Sequence, residues 1–186
     1  MKLGIIIGSI REGRSSQYLA ALVEKQANNL DGVETTVLDL RDFNLPMFNE
    51  AISPKYNPNR RTNTEGKKWL DALSAQDAFV IVSPEYNRAV PGVLKNAFDY
   101  IAHEVSDKPF ALISHGSYNG GFTLANLRVM VPELGGISIP AMIGIPYGQF
   151  DEKGTYIGDE STLTGRIDSQ LADLRRYSEA LMSVRN

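Results

Sequence analysis

A short segment of this chain, from Gly8 to Ser16, carries residue types that bind an anion. Two glycines, three serines and two arginines follow a mostly apolar stretch at residues 2–7. A helical pattern begins directly afterwards, so backbone amides and the positive end of a helix dipole would point at this segment. Arg11 adds a planar guanidinium that can hold two phosphate oxygens. We expect a phosphate here; on a second interpretation the glycines only form a turn and Ser16 caps the helix.

This segment differs from the common nucleotide-binding signatures. It lacks the Lys-Ser/Thr ending of a triphosphate-binding P-loop and the third glycine of a dinucleotide fingerprint. Apart from Asp31, no acidic residue is placed to bind a ribose. A monophosphate held by hydroxyls, backbone amides and an arginine is therefore the expected anion.

A second segment favours a planar ring as its ligand. It contains Pro84, Glu85, Tyr86 and Asn87, and a further proline at position 91. Prolines restrict the backbone, so this loop should be stiff. Tyr86 could cover part of a heteroaromatic ring while backbone N–H groups bind the polar edge of that ring.

A third segment begins with His115, Gly116 and Ser117 and contains two further glycines, at positions 120 and 121. Glycines let a backbone approach a ligand closely, so contact with the same ring is one interpretation and a plain turn before a helix is the other. His115 could donate a proton, because histidine titrates near neutrality. A histidine at the end of a strand is more often packed or hydrogen-bonded, and we expect His103 to interact with the negative end of a helix.

Short apolar runs alternate with helical patterns along the chain. The runs lack polar alternation, which predicts parallel strands covered on both faces. The predicted strands are residues 2–8, 34–40, 78–83, 110–114 and 137–145. Connection rules favour an α/β fold, a doubly wound five-stranded parallel sheet of flavodoxin-like order 2-1-3-4-5 with helices on both faces. Ligands of such a sheet bind at the carboxyl ends of strands 1, 3 and 4.

Length and composition narrow the protein class. The 186 residues fit a single domain, 1–186, in which the polar stretches 41–63, with Pro58, and 147–159 form long loops. The 22 acidic and 19 basic residues nearly balance, which argues against a nucleic-acid surface. We expect no membrane span, no signal peptide and a cytoplasmic location. Without cysteine and with two histidines, the sequence favours neither a thiolate nucleophile nor a metal centre.

Three motifs together resemble one known family. They are Gly-Ser-x-Arg after the first strand, Ser-Pro-Glu-Tyr-Asn after the third, and Pro-Gly-x-Leu-Lys-Asn-Ala-x-Asp-Tyr in the helix that follows. In this order they resemble the NADPH-dependent FMN reductases, which include flavodoxin-like quinone, azo and chromate reductases. The resemblance implies bound FMN and a nicotinamide nucleotide, NADPH or NADH, as hydride donor.

The resemblance also implies roles for individual residues. Ser9, Arg11, Ser16 and Gln17 would serve the phosphate, and Pro84, Glu85, Tyr86 and Asn87 would line the isoalloxazine, largely through backbone atoms. The loop of His115, Gly116 and Ser117 would lie against the flavin. This chain reads Arg14-Ser15-Ser16-Gln17 where many members place Ser and then Asn, so Ser15 and Ser16 are both candidates for the phosphate contact, and Arg14 faces either the anion or solvent.

The expected function is a two-electron transfer from NAD(P)H through flavin N5 to a small-molecule acceptor: a quinone, an azo compound, a metal oxyanion or free flavin. An FMN-binding electron carrier and a low-turnover regulatory flavoprotein are the alternatives. The arginine in the phosphate loop and a net charge of −3 disfavour a carrier, which typically has a strongly acidic docking surface. The resemblance further implies a homodimer or a homotetramer.

Overall fold

The structure is a computed structural model that describes residues 1–57 and 59–185. Pro58, within the predicted loop 41–63, and Asn186, at the end of the predicted domain, lie outside the described residues. The strands are β1 (Lys2–Ile7), β2 (Glu34–Asp39), β3 (Ala78–Pro84), β4 (Pro109–Gly116) and β5 (Ile137–Pro146). The helices are α1 (Ser15–Ala27), α2 (Thr64–Ser74), α3 (Gly92–Asp99), α4 (Gly121–Glu133) and α5 (Glu160–Arg185).

The five strands form one parallel sheet in the order β2-β1-β3-β4-β5. The predicted flavodoxin-like order is thereby confirmed. After β1 the chain adds β2 on one side, and from β3 onward it adds strands on the other side. The loops that follow β1 and β3 therefore lead to helices on opposite faces of the sheet. In sheets of this kind, such a switch point leaves a crevice at the carboxyl ends of the strands.

Apolar side chains cover both faces of the sheet. On one face, α1 and α5 pack against β1, β3, β4 and β5, with Leu19, Val23, Ile167 and Leu171 buried. On the other face, α2, α3 and α4 bury a second cluster that includes Trp69. β1, β3 and β4 are buried on both faces, which explains their continuous apolar runs. The edge strands β2 and β5 are partly exposed, so the prediction that they are covered on both faces is wrong.

Two further predicted features differ from the structure. β3 and β4 extend to Pro84 and Gly116, so residues assigned to loops are the last residues of strands. α3 ends at Asp99, so Ile101, predicted to be helical, lies beyond it but is still buried. His103 also lies beyond α3, with an exposed side chain; its backbone N–H donates to the Glu104 carboxylate (3.0 Å). The expected interaction of its imidazole with the end of a helix stays a prediction.

The polar stretch 41–63 contains one short 3₁₀ turn, Pro54–Tyr56, in its described part. Asn96 of α3 holds it to the domain, because its side chain accepts from Phe48 N–H (2.8 Å) and donates to the Pro46 carbonyl (2.9 Å). Across residues 1–57 and 59–185, no helix combines the length and apolarity needed to cross a membrane.

Candidate functional site

A cleft of about 420 Å³ lies at the carboxyl ends of β1, β3 and β4. Parallel strands end at one edge of a sheet, so the three predicted loops meet there. Eight of the twelve predicted site residues line the cleft: Arg11, Ser15, Pro84, Glu85, Tyr86, His115, Gly116 and Ser117. The other four, Ser9, Ser16, Gln17 and Asn87, do not line it.

Ser9 stabilises the loop after β1 through hydrogen bonds made inside the protein. Ser9 is fully buried, and its hydroxyl shares a hydrogen bond of 2.7 Å with the hydroxyl of Tyr86. The same oxygen accepts from the Arg11 N–H (3.3 Å). Gly8 before Ser9 is closely packed, since a Cβ there would lie 3.0 Å from side-chain atoms of both Leu94 and Ser83. Ser9 therefore joins two loops of the cleft from a position behind its wall.

Arg14 lines the cleft but is buried, so the expectation that it points to solvent is wrong. Its side chain is buried and forms a bidentate ion pair with Asp39 at the end of β2. It also donates to the Ser9 carbonyl. The positive charge of Arg14 is thus matched by a carboxylate, and the arginine anchors the loop to the neighbouring strand.

Ser16 does not cap α1, which corrects the second interpretation of this loop. The residue before the helix is Arg14, and its side chain makes no capping hydrogen bond. Ser16 lies inside the first turn, where its Oγ shares a hydrogen bond of 2.9 Å with His115 Nε2. Gln17 is exposed and lines a neighbouring depression with Tyr18 and Lys153 instead of the cleft.

His115 sits at the end of β4 beside the Phe150 ring, with 5.2 Å between ring centroids. Burial lowers the pKa of His115 from 6.5 to about 4. The imidazole is therefore neutral at pH 7 and is a poor proton donor there. Its hydrogen bond to Ser16 instead ties the loop after β4 to the first turn of α1.

The loop after β3 is a tight two-residue turn. The amides and carbonyls of Tyr86 and Ala89 bond to each other (3.0 Å in both directions), and the two central residues, Asn87 and Arg88, have φ of 51° and 60°. These values define a type I′ turn, in which positive φ suits asparagine but is unusual for arginine. The turn is closed by these hydrogen bonds in addition to the flanking prolines, and Asn87 lies at its exposed tip.

The amides expected to bind the edge of a ring are already used. Glu85 N–H donates to the His115 carbonyl (2.8 Å), and Tyr86 N–H donates to the Ala89 carbonyl. These hydrogen bonds connect β3 to β4 and close the turn. In this structure the N–H groups of Glu85 and Tyr86 therefore already have partners within the protein, and the expected backbone contact of this loop with a ring stays a prediction.

The carboxylate of Glu85 has a structural partner. Its Oε2 accepts from the amides of Phe122 (2.8 Å) and Thr123 (3.4 Å) in the first turn of α4. The residue before α4 is Gly120, which has no side chain to cap the helix, so the acidic group comes from another loop. Its negative charge also suits the positive end of the helix dipole.

One part of the cleft wall comes from the predicted long loop 147–159, in which sequence reasoning did not identify Asp151, Glu152 or Gly154 as lining residues. Residues 147–154, between β5 and α5, contribute Tyr147, Asp151, Glu152 and Gly154. Asp151 Oδ1 accepts from the amides of Lys153 (2.9 Å) and Thr155 (2.8 Å), which closes a compact turn. An Asp followed three residues later by Gly is a turn signal that could have identified it.

Gly154 allows this turn to pack closely against the first turn of α1. Its φ is 80°, and a Cβ there would lie 2.6 Å from the Gly13 carbonyl oxygen and 3.0 Å from Ser15 N. The segment therefore adds the carboxylates of Asp151 and Glu152 to the side of the cleft that Glu12 already lines. Arg11 lies on this side too and, unlike Arg14, does not form a buried ion pair among the described residues. Its guanidinium carbon lies 5.3 Å from the Tyr86 ring centroid.

Residues 1–149 match a family model described as NADPH-dependent FMN reductase. A relative in Nectria sp., named NAD(P)H-dependent FMN reductase ntnL, is 32% identical over 130 residues. That match covers 68% of this chain and 65% of the relative, so the chain spans just under two thirds of it. An FMN-dependent NADPH-azoreductase of Staphylococcus haemolyticus is 30% identical, and the match covers 86% of each chain.

Among solved structures, FerB from Paracoccus denitrificans, described as a flavoenzyme NAD(P)H:(acceptor) oxidoreductase, superposes with a TM-score of 0.72. The superposition covers 95% of this chain and 98% of FerB at 21% sequence identity. At this identity the likeness establishes the fold.

The buried imidazole of His115 predicts an acid-sensitive stability. Its pKa is about 4 in the folded protein and 6.5 in an exposed histidine, so the unfolded chain binds more protons between these values and stability falls as the pH falls. We expect wild type to lose about 1.5 kcal/mol between pH 6.5 and pH 5 relative to His115→Gln, measured by urea unfolding. His103→Gln, at an exposed position, should behave like wild type, and equal slopes for wild type and His115→Gln would contradict the prediction.

Gly154→Ala should loosen the turn from α1. The new Cβ would collide with the Gly13 carbonyl in a backbone conformation that alanine avoids, and we expect a loss of about 1–3 kcal/mol in urea unfolding. Gly148→Ala is the matched control, since a Cβ there meets nothing within 4 Å. If both variants unfold at the same urea concentration, the close contact at Gly154 is not maintained in solution.

Proposed function

The chain belongs to the NADPH-dependent FMN reductase family, and we propose that it is an FMN-dependent NAD(P)H oxidoreductase with quinones and azo compounds as acceptors. The observation that supports this most directly is the cleft of about 420 Å³ where the loops after β1, β3 and β4 meet. Bound FMN would supply the chemistry, taking a hydride from NAD(P)H and giving two electrons to the acceptor. The protein's own residues bind the cofactor, orient it and exclude water.

The residues on the α1 side of the cleft fit a phosphate. Arg11 brings an exposed guanidinium, Ser15 brings a hydroxyl, and both line the cleft at the positive end of α1. We assign the direct contacts to this pair and to the first amides of α1. Ser9 and Ser16 support the cleft without contacting the phosphate, because the hydroxyl of Ser9 is hydrogen-bonded to Tyr86 and that of Ser16 to His115.

The opposite wall fits a flat ring. The side chain of Tyr86 is fixed by the hydrogen bond to Ser9, and Pro84 and Gly116 present little bulk beside it. Gly116 is packed so closely that a Cβ would lie 2.8 Å from the Cβ of Glu85. With the Glu85 and Tyr86 amides occupied, we assign the donor toward the polar edge of the ring to the amide of Ser117, directly after β4.

We do not assign His115 a proton-transfer step. Its imidazole is neutral at pH 7 and bonded to Ser16, so it positions the loop after β4 against α1. Water can supply the protons that a reduced quinone takes up. We further propose a cytoplasmic location. We also propose a homodimer or a homotetramer, because the described part of the stretch 41–63 exposes the side chains of Met47, Ile52 and Tyr56 for contact with a second copy.

The visible spectrum of the purified protein, reconstituted with FMN, tests the proposed function. We expect flavin absorbance that bleaches under anaerobic conditions when NADPH or NADH is added and returns when a quinone is supplied. An electron carrier would bind FMN but turn over quinone very slowly with NAD(P)H. Absence of flavin absorbance after reconstitution and gel filtration would overturn the proposal.

Arg11→Ala should weaken FMN binding by about 1.5–3 kcal/mol, the scale of a lost hydrogen bond to a charged group. Quenching of FMN fluorescence on titration with apoprotein measures the dissociation constant, which should rise by roughly 10- to 150-fold. Arg61→Ala, at an exposed position outside the cleft, is the control. An unchanged affinity in Arg11→Ala would place the phosphate elsewhere.

A further inference from the structure

Three side chains at the rim of the cleft form an ordered cluster that the proposed binding of FMN does not use. The guanidinium of Arg88 lies 4.7 Å from the ring centroid of Tyr118 and 5.2 Å from that of Phe122. One guanidinium nitrogen also donates to the Tyr118 hydroxyl (2.9 Å). The two rings pack edge to face with centroids 5.6 Å apart. We call Arg88, Tyr118 and Phe122 the platform.

The platform is held rigidly from both sides. Arg88 is a central residue of the type I′ turn, where its φ of 60° is maintained by the paired hydrogen bonds of Tyr86 and Ala89. Phe122 is fixed because its amide donates to Glu85, and Thr123 next to it donates to the Ala89 carbonyl (2.9 Å). A left-handed arginine carries a cost in backbone energy, which is typical of residues held for a functional contact.

The platform is also open to a ligand. Tyr118 and Phe122 are 54% and 39% exposed, although large aromatic side chains are usually buried. The three residues continue directly from the cleft, since Tyr86 and Ser117, which line it, lie two residues before Arg88 and one before Tyr118. The platform is therefore adjacent in the chain to two of the loops that form the cleft.

The charge of Arg88 is not matched by a carboxylate. Among the ion pairs of the described residues none includes Arg88. Its nearest acidic neighbour in the chain, Glu85, is bonded to the amides of α4. The other carboxylates that line the cleft, those of Glu12, Asp151 and Glu152, belong to the loop after β1 and to the segment after β5. Arg88 is therefore a positive charge at the rim of the cleft that attracts an anionic group, in addition to the charge of Arg11 on the α1 side.

We propose that the platform binds a flat aromatic ligand that carries an anionic group. The rings of Tyr118 and Phe122 offer stacking surface, and the N–H groups of Arg88 that are not bonded to Tyr118 offer a charged fork for phosphate or sulfonate oxygens. This inference rests on the proposed function, because the ligand is then one of the two substrates: the 2′-phosphorylated adenosine of NADPH or an anionic aromatic acceptor. The shared chemistry is an aromatic ring next to an anion.

Steady-state kinetics with matched substrate pairs distinguish the two sources. Arg88→Gly removes the guanidinium and suits the left-handed backbone. If adenosine binds, this variant raises the KM for NADPH at least tenfold and leaves that for NADH unchanged. If the acceptor binds, it raises the KM for 1,4-naphthoquinone-2-sulfonate and leaves that for 1,4-naphthoquinone unchanged. Tyr118→Phe, which keeps the ring but frees Arg88, should give a smaller change in the same substrate.

A binding measurement keeps this inference separate from the proposed function. Titration calorimetry of the unloaded protein with adenosine 2′,5′-bisphosphate and with naphthalene-2-sulfonate needs neither FMN nor turnover. Wild type should bind at least one probe tenfold more tightly than Arg88→Gly, whereas Lys95→Gln, an equal charge change at an exposed site on α3, should match wild type. The platform proposal is overturned if wild type and Arg88→Gly bind both probes equally. It is also overturned if Arg88→Gly changes the KM equally for the charged and uncharged members of both substrate pairs. Either result would count against the platform even if the protein binds FMN. Failure to bind FMN alone would overturn only the proposed function.

Discussion

All five strands run parallel, and this constraint determines where the protein can bind a ligand. Each strand ends at the same edge of the sheet, and at the switch between β1 and β3 the chain leaves in opposite directions. The loops after β1, β3 and β4 are brought together there, each rich in polar groups that need partners. The protein meets that need by bonding the loops to one another. Ser9 holds Tyr86, Ser16 holds His115, and the Glu85 amide donates to the carbonyl of His115.

These cross-links decide which groups remain for a ligand. Side chains that look like ligand contacts in the sequence, such as Ser9 and Arg14, are taken up by the protein itself. Glu85 is occupied at α4, and its contact with Phe122 is also what aligns the turn after β3 with the loop after β4. The position of Arg88 beside two aromatic rings follows from that alignment. Structural and binding roles at this site are therefore parts of one hydrogen-bond network.

The order of the strands and the convergence of three loops could be predicted from the sequence, because continuous apolar runs and loop motifs are local signals. The partners of individual side chains could not. Arg14 pairs with Asp39, 25 positions away, and Ser16 with His115, 99 positions away, and no local pattern encodes either contact. The segment at 151–154 was missed because its turn signal indicates a shape but not the helix end against which Gly154 packs. Glu85 shows the same limit, since a cap supplied by another loop leaves no N-cap signature before α4.

The charges that the network leaves unmatched explain how a cleft with several carboxylates can still receive anionic molecules. Arg14 is neutralised by Asp39 and Glu85 is committed to the dipole of α4, so neither contributes strongly to the field inside the cleft. Arg11 and Arg88 remain, one beside Tyr86 and the other beside Tyr118. Both cations lie against aromatic rings, which restrains their guanidinium groups without neutralising them. An ion pair would restrain them equally well but would remove the charge, and stacking on a ring is the arrangement that retains it for a ligand.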